Sequence, residues 1–295
     1  MSVLAPTTAL ERDTALGFKL FRKSATGGEW SRSYSQTVDP ERGWSLDQPK
    51  LSVDQSSKSR YANRIYVTAH RWGDETGAGR STHTTAFTYS GDTGESFSKL
   101  EHVSEDNLKD NALNSVVLSD GTVIGGTYNY LTVDTHKFQH LAWTFASSDG
   151  GRTLESLNFV TSKSIDLPLL AADTTSNGYQ DRVYMATVVS DLDTMLAVLH
   201  SDSQGQRWSE PKKVAPVATE DKRITHYPAV DGKGRIGILW TQKVRQSEKE
   251  QCYRVRFSYS ADGGDTFSTD VISDQEEYCV SIPGEPRMMA MAGED

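Results

Sequence analysis

The sequence lacks long hydrophobic runs, an excess of basic residues and a recognisable leader, and each absence excludes a class of protein. The longest apolar runs, Met195 to Leu199 and Met288 to Ala292, have five residues each, whereas a membrane-spanning helix needs about 18. The opening residues MSVLAPTTALERD contain no basic segment followed by an apolar stretch, so no signal peptide is expected. The formal charge of -9 argues against a nucleic-acid or anionic-membrane partner, because both attract net positive charge.

Motifs for common cofactors and metals are also missing. The sequence contains no G-x-x-x-x-G-K-[ST] phosphate loop, no H-E-x-x-H zinc motif and no zinc-like Cys/His spacing. Asp191-Leu192-Asp193 alone does not specify calcium. We therefore expect no cofactor and no metal. No N-x-[ST] acceptor occurs, so glycosylation gives no clue to the compartment.

The two cysteines, Cys252 and Cys279, are too few for a disulfide framework or a metal cluster, and they do not form a redox C-x-x-C pair. Two interpretations stay open. The cysteines are either two ordinary buried thiols or a pair bonded to each other, since both lie in the last repeat.

What the sequence does contain is an internal repeat with the pattern S-x-D-x-G-x-T-[FW]. Its four copies begin at Ser90, Ser147, Ser201 and Ser260. The third copy has lost Asp and Thr, and Leu154 replaces the aromatic residue of the second. The segment Ser24 to Trp30 (SATGGEW) looks like a fifth copy, one residue short. The steps between the five serines are 66, 57, 54 and 59 residues, and such a period is the signature of a repeat architecture.

A second signal shares this period. Short apolar segments begin at Pro49, Pro168 and Pro228, and further prolines or apolar residues continue the series at Ala112 and Pro286. Each complete interval holds a second apolar segment after an Asp-containing turn. The best defined of these segments are Arg64 to Ala69, Arg182 to Thr187 and Arg235 to Trp240. The proline steps from 168 to 228 and from 228 to 286 are 60 and 58 residues.

Each period therefore predicts four short strands. The segments are four to seven residues long, rich in Val, Ile, Tyr and Thr, and bounded by Gly, Asp, Asn and Ser, which favours strand over helix. Four-stranded antiparallel sheets repeated around an axis form a β-propeller. The sequence thus predicts an all-β chain, with residues 1–295 forming one β-propeller domain. In the repeated turn, Asp would accept backbone N–H groups and Gly would supply positive φ, so we expect a structural role for these aspartates.

The repeated turn resembles the Asp-box, or BNR, repeat of the sialidase-like (neuraminidase) β-propeller superfamily, from about Leu16 to Asp295. In that family six blades surround the active site and the Asp-box lies between the third and fourth strands of a blade. Four full units are expected here, starting near Pro49, Ala112, Pro168 and Pro228. A half unit surrounds Ser24, and Pro286 to Ala292 would supply one further first strand. The blade number, five or six and possibly incomplete, stays open.

The resemblance implies three arginines that bind a sugar carboxylate, a tyrosine nucleophile polarised by a glutamate, and an aspartic acid that protonates the leaving group. Arg forks match a carboxylate bidentately, and a neutral tyrosine avoids repulsion with an anionic sugar. The family's [FY]-R-I-P segment is absent. Phe21-Arg22-Lys23-Ser24 retains only two of its residues, so Arg22 is not assigned the role of the first arginine.

Candidate catalytic residues follow from the register of the repeat. First strands of a propeller line the central channel, and residues two positions before each proline should lie at its mouth. These residues are Asp47, Asp166, His226 and Gly284, with Asp110 in the divergent second unit. Asp47 or Asp166 could act as general acid if neighbouring carboxylates or burial raised its pKa. The alternative is that these groups are exposed loop residues or caps.

Candidate substrate-binding residues lie near the same positions: Arg71, Trp72, Arg223 and Arg287. Trp72 could stack on a sugar face or pack between blades. Arg254 and Arg256 alternate along one predicted strand and so share a face. The Tyr and Glu residues near the family's nucleophile region are Tyr227, Tyr253, Tyr278, Glu276 and Glu277. Tyr227 joins the catalytic candidates.

Two functions are consistent with these features. The first is a sialidase-like exo-glycosidase acting on a glycan substrate at the channel mouth. The second is a non-catalytic propeller that binds carbohydrate or protein, which the missing arginine segment favours. The resemblance implies an extracellular location, and the sequence leaves the sugar, the linkage and the oligomeric state open.

Overall fold

The structure, a computed structural model, describes residues 2–7, 17–23, 31–37, 45–73, 82–103, 110–134, 137–155, 157–176, 178–190, 193–217, 224–247, 250–272 and 277–281. Every helix or strand within these ranges is a β-strand. The predicted all-β class is therefore confirmed for this part of the chain. Within the same ranges, no helix has the length and apolar character needed to cross a membrane.

An N-terminal sheet and four four-stranded units follow one another along the chain. The N-terminal sheet contains β1 (Ser2–Thr7), β2 (Gly17–Arg22) and β3 (Ser31–Thr37). The first unit contains β4 (Ser45–Val53), β5 (Ile65–Gly73), β6 (Thr82–Ser90) and β7 (Glu101–His102). The second unit contains β8 (Asp110–Val117), β9 (Val123–Asp134), β10 (Lys137–Ser147) and β11 (Asn158–Ser164).

The third unit contains β12 (Leu169–Ala172), β13 (Val183–Ser190), β14 (Thr194–Ser201) and β15 (Lys212–Pro216). The fourth unit contains β16 (His226–Val230), β17 (Ile236–Gln246), β18 (Glu250–Ser260) and β19 (Ser268–Val271). A last strand, β20 (Tyr278–Ser281), pairs with the beginning of β18. The four units start where the repeat predicts them.

In the first unit the strands lie in chain order, from β4 at one edge of the sheet to β7 at the other, and β16 to β19 follow the same order in the fourth unit. The second and third units share one eight-stranded sheet, because Ser164 of β11 pairs with Val189 of β13, the strand that also pairs with β12. The first strands β4, β8, β12 and β16 contact one another in sequence. Such a series is what an arrangement of units around a common axis requires. We call the end at which the first strands begin the mouth end. The opposite end, where the serine–aspartate turns lie, is the turn end.

The N-terminal sheet contains a strand that the sequence analysis missed. β2 and β3 flank Ser24 to Trp30 as expected, although that segment lies outside the described residues. β1 pairs with β2 along its whole length, from Ser2 opposite Arg22 to Thr7 opposite Gly17. Pro6 and two small residues obscure the strand pattern of this segment. The expected half unit therefore has three strands rather than two.

The serine–aspartate turns are held by their own side chains. In the first copy, Asp92 Oδ1 accepts hydrogen bonds from the backbone N–H groups of Glu95 (3.1 Å) and Ser96 (2.9 Å), while Ser90 Oγ accepts the N–H of Gly94 (2.8 Å). The hydrogen bond that the Ser96 hydroxyl donates to Asp92 Oδ2 (2.6 Å) is the main cause of the lowered pKa of Asp92. The copies at Asp149 and Asp262 have the same bonds to their Thr. These contacts are structural, as the turn chemistry predicts.

In the third copy Ser203 stands in place of Asp. Its hydroxyl accepts the backbone N–H of Arg207 at 2.9 Å, so a shorter side chain supplies one of the bonds that the carboxylate supplies elsewhere. Gly151 has a φ of 91°, and Gly94, Gly205 and Gly264 of the other copies also have positive φ. At Gly150, where Thr93 and Gln204 of two other copies also have positive φ, a Cβ atom would meet the ring of Tyr61 at 2.7 Å.

Neighbouring units are joined by packing and by arginines. Tyr66 and Phe87 of the first unit are fully buried and pack with Phe145 of the second. At the turn end, Arg64 Nη1 donates to the carbonyl oxygen of Gly150 at 2.5 Å, and Arg182 makes the equivalent contact with the next unit. The core of the chain thus lies between units rather than within one.

Cys252 and Cys279 form a disulfide bond, which resolves the open alternatives of the sequence analysis in favour of pairing. The two residues lie directly opposite each other on β18 and β20. The interpretation of Cys252 and Cys279 as two buried free thiols is therefore wrong. Spacing alone gave no hint, because β20 pairs with β18 only after the chain has passed through β19.

Candidate functional site

Asp47 lies at the mouth end of β4, on a β-bulge. The register between β4 and β5 shifts between Asp47 and Lys50, and Gln48 has a φ of 49°, which is uncommon for a residue other than glycine. Asp47 is exposed, and its Oδ1 accepts the N–H of Gln48 at 2.7 Å. Bulges and strained residues of this kind recur next to active sites, where they redirect a side chain.

Lys50 places an ammonium group beside this carboxylate. Its Nζ donates to the carbonyl oxygens of Ala112 (3.0 Å) and Gln48 (3.4 Å), and the first contact links the first strands of neighbouring units. Burial lowers the pKa of Lys50 to about 8, against the opposing effect of Asp47. Lys50 is therefore a cation at pH 7 that loses its charge in mildly alkaline solution.

Two histidines follow on the next strands. His70 is opposite Asp47 in the β4–β5 pair, and its Nε2 lies 3.0 Å from Nδ1 of His83 with the rings stacked. Burial lowers the pKa of His70 to about 4, and repulsion from His83 and Lys50 acts in the same direction. His70 is therefore neutral near pH 7, and its ring is available as a hydrogen-bonding group rather than as a charge.

The surface of the second unit that faces these histidines is also polar. Thr85 and Thr127 join the two units through a 2.7 Å hydroxyl contact. His83 and Asn129 lie two residues further toward the mouth end on the same two facing surfaces. Asn129 Oδ1 is buried and has no hydrogen-bond partner among the described residues. An unpaired buried acceptor of this kind suits a donor from water or a ligand.

Arg71 and Trp72 end the same strand, β5. An Arg71 Nη1 atom contacts the imidazole ring of His102, and Trp72 is 38% exposed. Side chains alternate along a strand, so Arg71 points away from the face that carries His70. Trp72 lies at the rim of the mouth end with part of its ring open to solvent.

Asp166 occupies the equivalent mouth position in the third unit, three residues before β12. Its Oδ1 accepts the N–H of Leu167 (2.8 Å) and its Oδ2 accepts the N–H of Ile224 (3.1 Å). The second bond ties the third unit to the chain entering the fourth. Both carboxylate oxygens of Asp166 thus bind backbone groups.

His226 is buried, and its two ring nitrogens face the carbonyl oxygens of Ile224 and Ala186, each at 3.1 Å. Tyr227 is 61% exposed. The pairing of β16 with β17 contains no bulge, unlike that of β4 with β5. By register, Thr225 rather than His226 is therefore equivalent to Asp47, and Tyr227 is equivalent to Lys50.

Several candidates lie outside the described residues: Arg223, Arg287, Glu276 and Gly284. Asp110 begins β8, but by register its neighbour Asn111 is equivalent to Asp47. Arg254 lies 3.8 Å from a carboxylate oxygen of Glu277, and Arg256 Nε donates to Gln242 at 2.5 Å. Tyr253 donates its hydroxyl hydrogen to Gln251, and Tyr278 is exposed. The surface formed by β17, β18 and β20 thus carries Tyr253, Arg254, Arg256 and Tyr278.

The remaining groups offer little alternative chemistry. Among the described residues, Glu250, Cys252 and Cys279 alone form a cluster of three potential metal ligands, and the disulfide bond occupies both sulfurs. A cavity of about 540 Å³ lies at the turn end, not at the mouth end. It is lined largely by hydroxyl and amide groups, among them those of Ser52, Ser115 and Gln180.

The sequence analysis missed Lys50, His70, His83 and Asn129. A signal for Lys50 was present, because it directly follows Pro49 in a predicted first strand. His70 lies within the segment that provided Arg71 and Trp72. Asn129 and His83 gave no signal, since only the packing of two units brings them to facing surfaces.

No protein-family model matches the sequence. No curated protein matches it either. Solved structures do share its fold. A Hadza microbial sialidase is 14% identical, with a TM-score of 0.59, over 92% of this chain and 56% of the sialidase chain. An intramolecular trans-sialidase from Ruminococcus gnavus, in complex with oseltamivir carboxylate, is 12% identical, with a TM-score of 0.53, over 96% and 82% of the two chains.

A polysaccharide lyase described as an ulvan lyase is 11% identical, with a TM-score of 0.54, over 87% of this chain and 60% of the lyase chain. The same lyase has a structure bound to -[GlcA(1-4)Rha3S]-. At these identities the likeness concerns the fold. It supports a sialidase-like propeller fold for this chain, which spans little more than half of the Hadza sialidase.

Proposed function

We propose that the protein is an Asp-box β-propeller of the sialidase-like type that acts on an acidic glycan at its mouth end, as an exo-glycosidase. The hydrogen bonds of the turns around Asp92, Asp149 and Asp262 support their identification as Asp-boxes. The series of contacting first strands supports a common central opening. The named neighbours are carbohydrate-active enzymes, which supports a carbohydrate substrate.

One observation carries the proposal: the carboxylate of Asp47 stands on a strained bulge beside a cation, Lys50, and opposite a neutral ring, His70. Asp47, in its protonated form in the complex, would donate its proton to the leaving oxygen, and water would supply the hydroxyl group that replaces the leaving group at the anomeric carbon. Lys50 would attract the sugar carboxylate, and the exposed ring of Trp72 would stack on a sugar face. Sialic acid and glucuronic acid, the acidic sugars implied by the neighbours' names, both carry such a carboxylate.

The other candidates receive supporting roles in this proposal. Asp166 would fix the chain between the third and fourth units through the N–H of Ile224. Tyr227, exposed at the position equivalent to Lys50, would offer its hydroxyl to the reacting sugar. Arg71, Arg223 and Arg287 stay proposed contributors to substrate binding, and His226 a proposed support for the wall of the site.

A second candidate function, carbohydrate binding without catalysis, has its own support. Both carboxylate oxygens of Asp166 are bound to backbone N–H groups. His226 is likewise held by backbone carbonyls. Asp166 and His226, both candidates for catalysis, are thus engaged in structural contacts. Asp47 is then the candidate acid that can still form hydrogen bonds with substrate.

A screen with fluorogenic glycosides, including a sialoside and a glucuronide, tests the proposal. We expect hydrolysis by the parent protein and a fall of about 100-fold or more in kcat for Asp47→Ala, the usual scale of a lost general acid. Asp270→Ala, which removes an exposed carboxylate from the outer strand β19, is the matched control. Hydrolysis that is equal in both variants would remove Asp47 from the mechanism. Binding to an acidic glycan array without hydrolysis would favour the second function.

A further inference from the structure

The disulfide bond between Cys252 and Cys279 lies at the mouth end of the fourth unit. β17 continues past Trp240, which is opposite the first residue of β16, and ends at Gln246. The beginning of β18 pairs with this extension of β17 and, on its other edge, with β20. The bond thus joins two strands that project past the first strand of the unit, at the end where the proposed substrate site lies.

β20 is a short edge strand. It pairs with β18 over four residues, from Tyr278 opposite Tyr253 to Ser281 opposite Glu250. Among the described strands, β18 is the one with which β20 pairs. Tyr278 and Val280 are 61% and 39% exposed, so burial of their side chains contributes little to holding the strand. The disulfide bond is therefore the main attachment of β20 to the unit.

The two sulfur atoms of the bond differ in their access to a thiol from solution. Cys252 is fully buried, whereas Cys279 is partly exposed. An attacking thiolate therefore reaches Sγ of Cys279, and Sγ of Cys252 becomes the leaving group. Exchange is faster when the leaving thiolate is better stabilised, so the surroundings of Cys252 decide how readily the bond is reduced.

Arg245 places a cation beside this leaving sulfur. Its Nη2 lies 3.2 Å from Sγ of Cys252 and 3.7 Å from Sγ of Cys279. A shift in the β17–β18 register between Lys243 and Arg245 brings the arginine opposite Cys252. Burial alone would disfavour a thiolate at Cys252, and an adjacent guanidinium group offsets this cost.

Ion pairs connect the same bond to the charges of the mouth end. Glu277, the residue directly before β20, has carboxylate oxygens 3.6 Å from Nε of Arg245 and 3.8 Å from Nη2 of Arg254. Arg245 also pairs at 3.2 Å with Glu250, which belongs to β18. Release of β20 would therefore withdraw one carboxylate from two arginines. The Cys252 thiolate would replace Glu277 as an anionic neighbour of Arg245.

We propose that the Cys252–Cys279 bond is a site of thiol–disulfide exchange, at which a small monothiol releases β20 from the fourth unit. One thiolate attacks Sγ of Cys279, forms a mixed disulfide there and displaces the Cys252 thiolate. A second thiolate attacks the mixed disulfide and frees Cys279. The two monothiols are oxidised to one disulfide and the protein gains two electrons. The protons that the monothiols lose pass to Cys279 and to water, and the Cys252 thiolate stays beside Arg245.

The release of β20 changes the charge that the mouth end presents to a ligand. Without Glu277, Arg245 and Arg254 lose a competing anion, so the reduced protein attracts an acidic glycan more strongly than the oxidised protein does. This effect on binding rests on the proposed function, whereas the exchange reaction and the release of β20 do not.

The rate of reduction in native buffer tests the role of Arg245. The thiol is 2-mercaptoethanol, which is neutral, so attraction of the reagent to a charged side chain does not contribute. Alkylation of the new thiols and mass spectrometry of the intact protein follow the reaction. Arg245→Gln should slow reduction by about tenfold, because the leaving thiolate loses its cation.

Arg235→Gln is the matched control, because Arg235 is an exposed arginine of the same unit that pairs with Asp231 at the turn end. It should keep the rate of the parent protein. Equal rates in the Arg245→Gln and Arg235→Gln variants overturn the role of the cation. Reduction of the parent only after urea has unfolded the chain overturns exchange in the folded protein.

Hydrogen exchange tests the release of the strand. Reduction should speed exchange in residues 250–253 and 278–281 and leave residues 268–271 of β19 unchanged. The Cys252→Ser, Cys279→Ser double variant should show the fast pattern with and without the thiol. Unchanged exchange after reduction contradicts the release of β20. Faster exchange throughout the fourth unit also contradicts it, because the bond would then hold the whole unit rather than one strand.

Titration with an oligogalacturonate and with a neutral galacto-oligosaccharide tests the effect on binding. The reduced protein should bind the acidic sugar about three- to fivefold more tightly than the oxidised protein, the scale of one exposed ion pair, and the neutral sugar equally. Glu277→Gln should produce the same gain without reduction. Equal affinities in the two redox states overturn the effect on binding. Absence of binding in both states contradicts the proposed function, and the rate and exchange measurements then still decide on the release of β20.

Discussion

Replacing Asp149 is the most informative perturbation of the fold, because this residue combines a partly exposed position with four hydrogen bonds. Asp149 accepts the backbone N–H groups of Arg152 and Thr153 (2.9 Å each) and the hydroxyl groups of Ser147 (2.9 Å) and Thr153 (2.7 Å). Despite partial burial, which would raise it, these bonds lower the pKa of Asp149 to about 2. The carboxylate therefore organises the turn in its charged form.

The cost of the change differs between two substitutions. Asp149→Ala removes every acceptor, but the freed N–H groups can bind water instead. Each lost hydrogen bond therefore costs about 1 kcal/mol, less than a buried polar group without a partner would cost. The expected loss is about 2 to 4 kcal/mol in the free energy of unfolding. Asp149→Asn keeps the Oδ1 atom that accepts three of the four bonds, and we expect a loss of about 1 kcal/mol.

Urea unfolding monitored by fluorescence and by circular dichroism measures both losses, with Asp270→Ala as the exposed control. Binding and hydrolysis of the best glycan should be unchanged in the folded Asp149 variants, because this turn lies at the turn end. Equal stability of the Ala variant and the parent would refute the structural account of the turn. A loss of glycan binding without a loss of stability would show that the carboxylate contacts substrate.

Three further predictions follow from single contacts. Cys252→Ser together with Cys279→Ser should lower the free energy of unfolding by about 3.5 kcal/mol, the loop-closure value for the separation of 27 residues; an unchanged urea midpoint would contradict this. Because the pKa of Lys50 is lowered in the folded state, stability should rise between about pH 8 and 10.5, by at most about 3 kcal/mol, and Lys50→Met should abolish that rise. Asn114→Ala leaves the N–H and C=O groups of Leu170 unpaired and should cost about 2 to 3 kcal/mol in urea unfolding; no loss would mean that the two units do not need this bridge.

The repeat predicted the strand content well because the strands of this fold are local patterns. Alternating Val, Ile, Tyr and Thr around Arg64 to Ala69 and Arg182 to Thr187 define strands without reference to the rest of the chain. β1 failed this test because Pro6 and small residues hide the alternation. Its pairing with β2 depends on tertiary structure. Phe18 of β2 is buried in a cluster with residues of the first unit, and Leu20 is buried against Gly94 of that unit.

The mouth end was harder to predict because its register depends on bulges. Counting two residues back from each proline gives Asp47, which is opposite His70 in β5, and Asp166, which precedes β12 by three residues. The same count fails for His226, because β16 has no bulge. Pro228 also stands three residues before Asp231, whereas Pro49 and Pro168 each stand five residues before the equivalent Asp. A count along the sequence assumes equal geometry in every repeat, and a single inserted residue moves a side chain to the other face.

The polar surface between the first and second units could not be predicted from one strand at a time. His70 and His83 lie on neighbouring strands of one sheet, and Asn129 lies on another sheet. Their proximity follows from the contact of Thr85 with Thr127. Sequence reasoning can place each residue on a strand and on a face, but the pairing of two faces needs the structure.

The most direct test of the central claim is hydrogen exchange with and without a bound acidic oligosaccharide. If sugar binds at the mouth end, exchange should slow in residues 45–50 of β4 and in residues 67–73 of β5, while residues 52–58 and 115–119 at the turn end stay unchanged. Slowed exchange confined to 52–58 and 115–119, around the cavity at the turn end, would contradict the account.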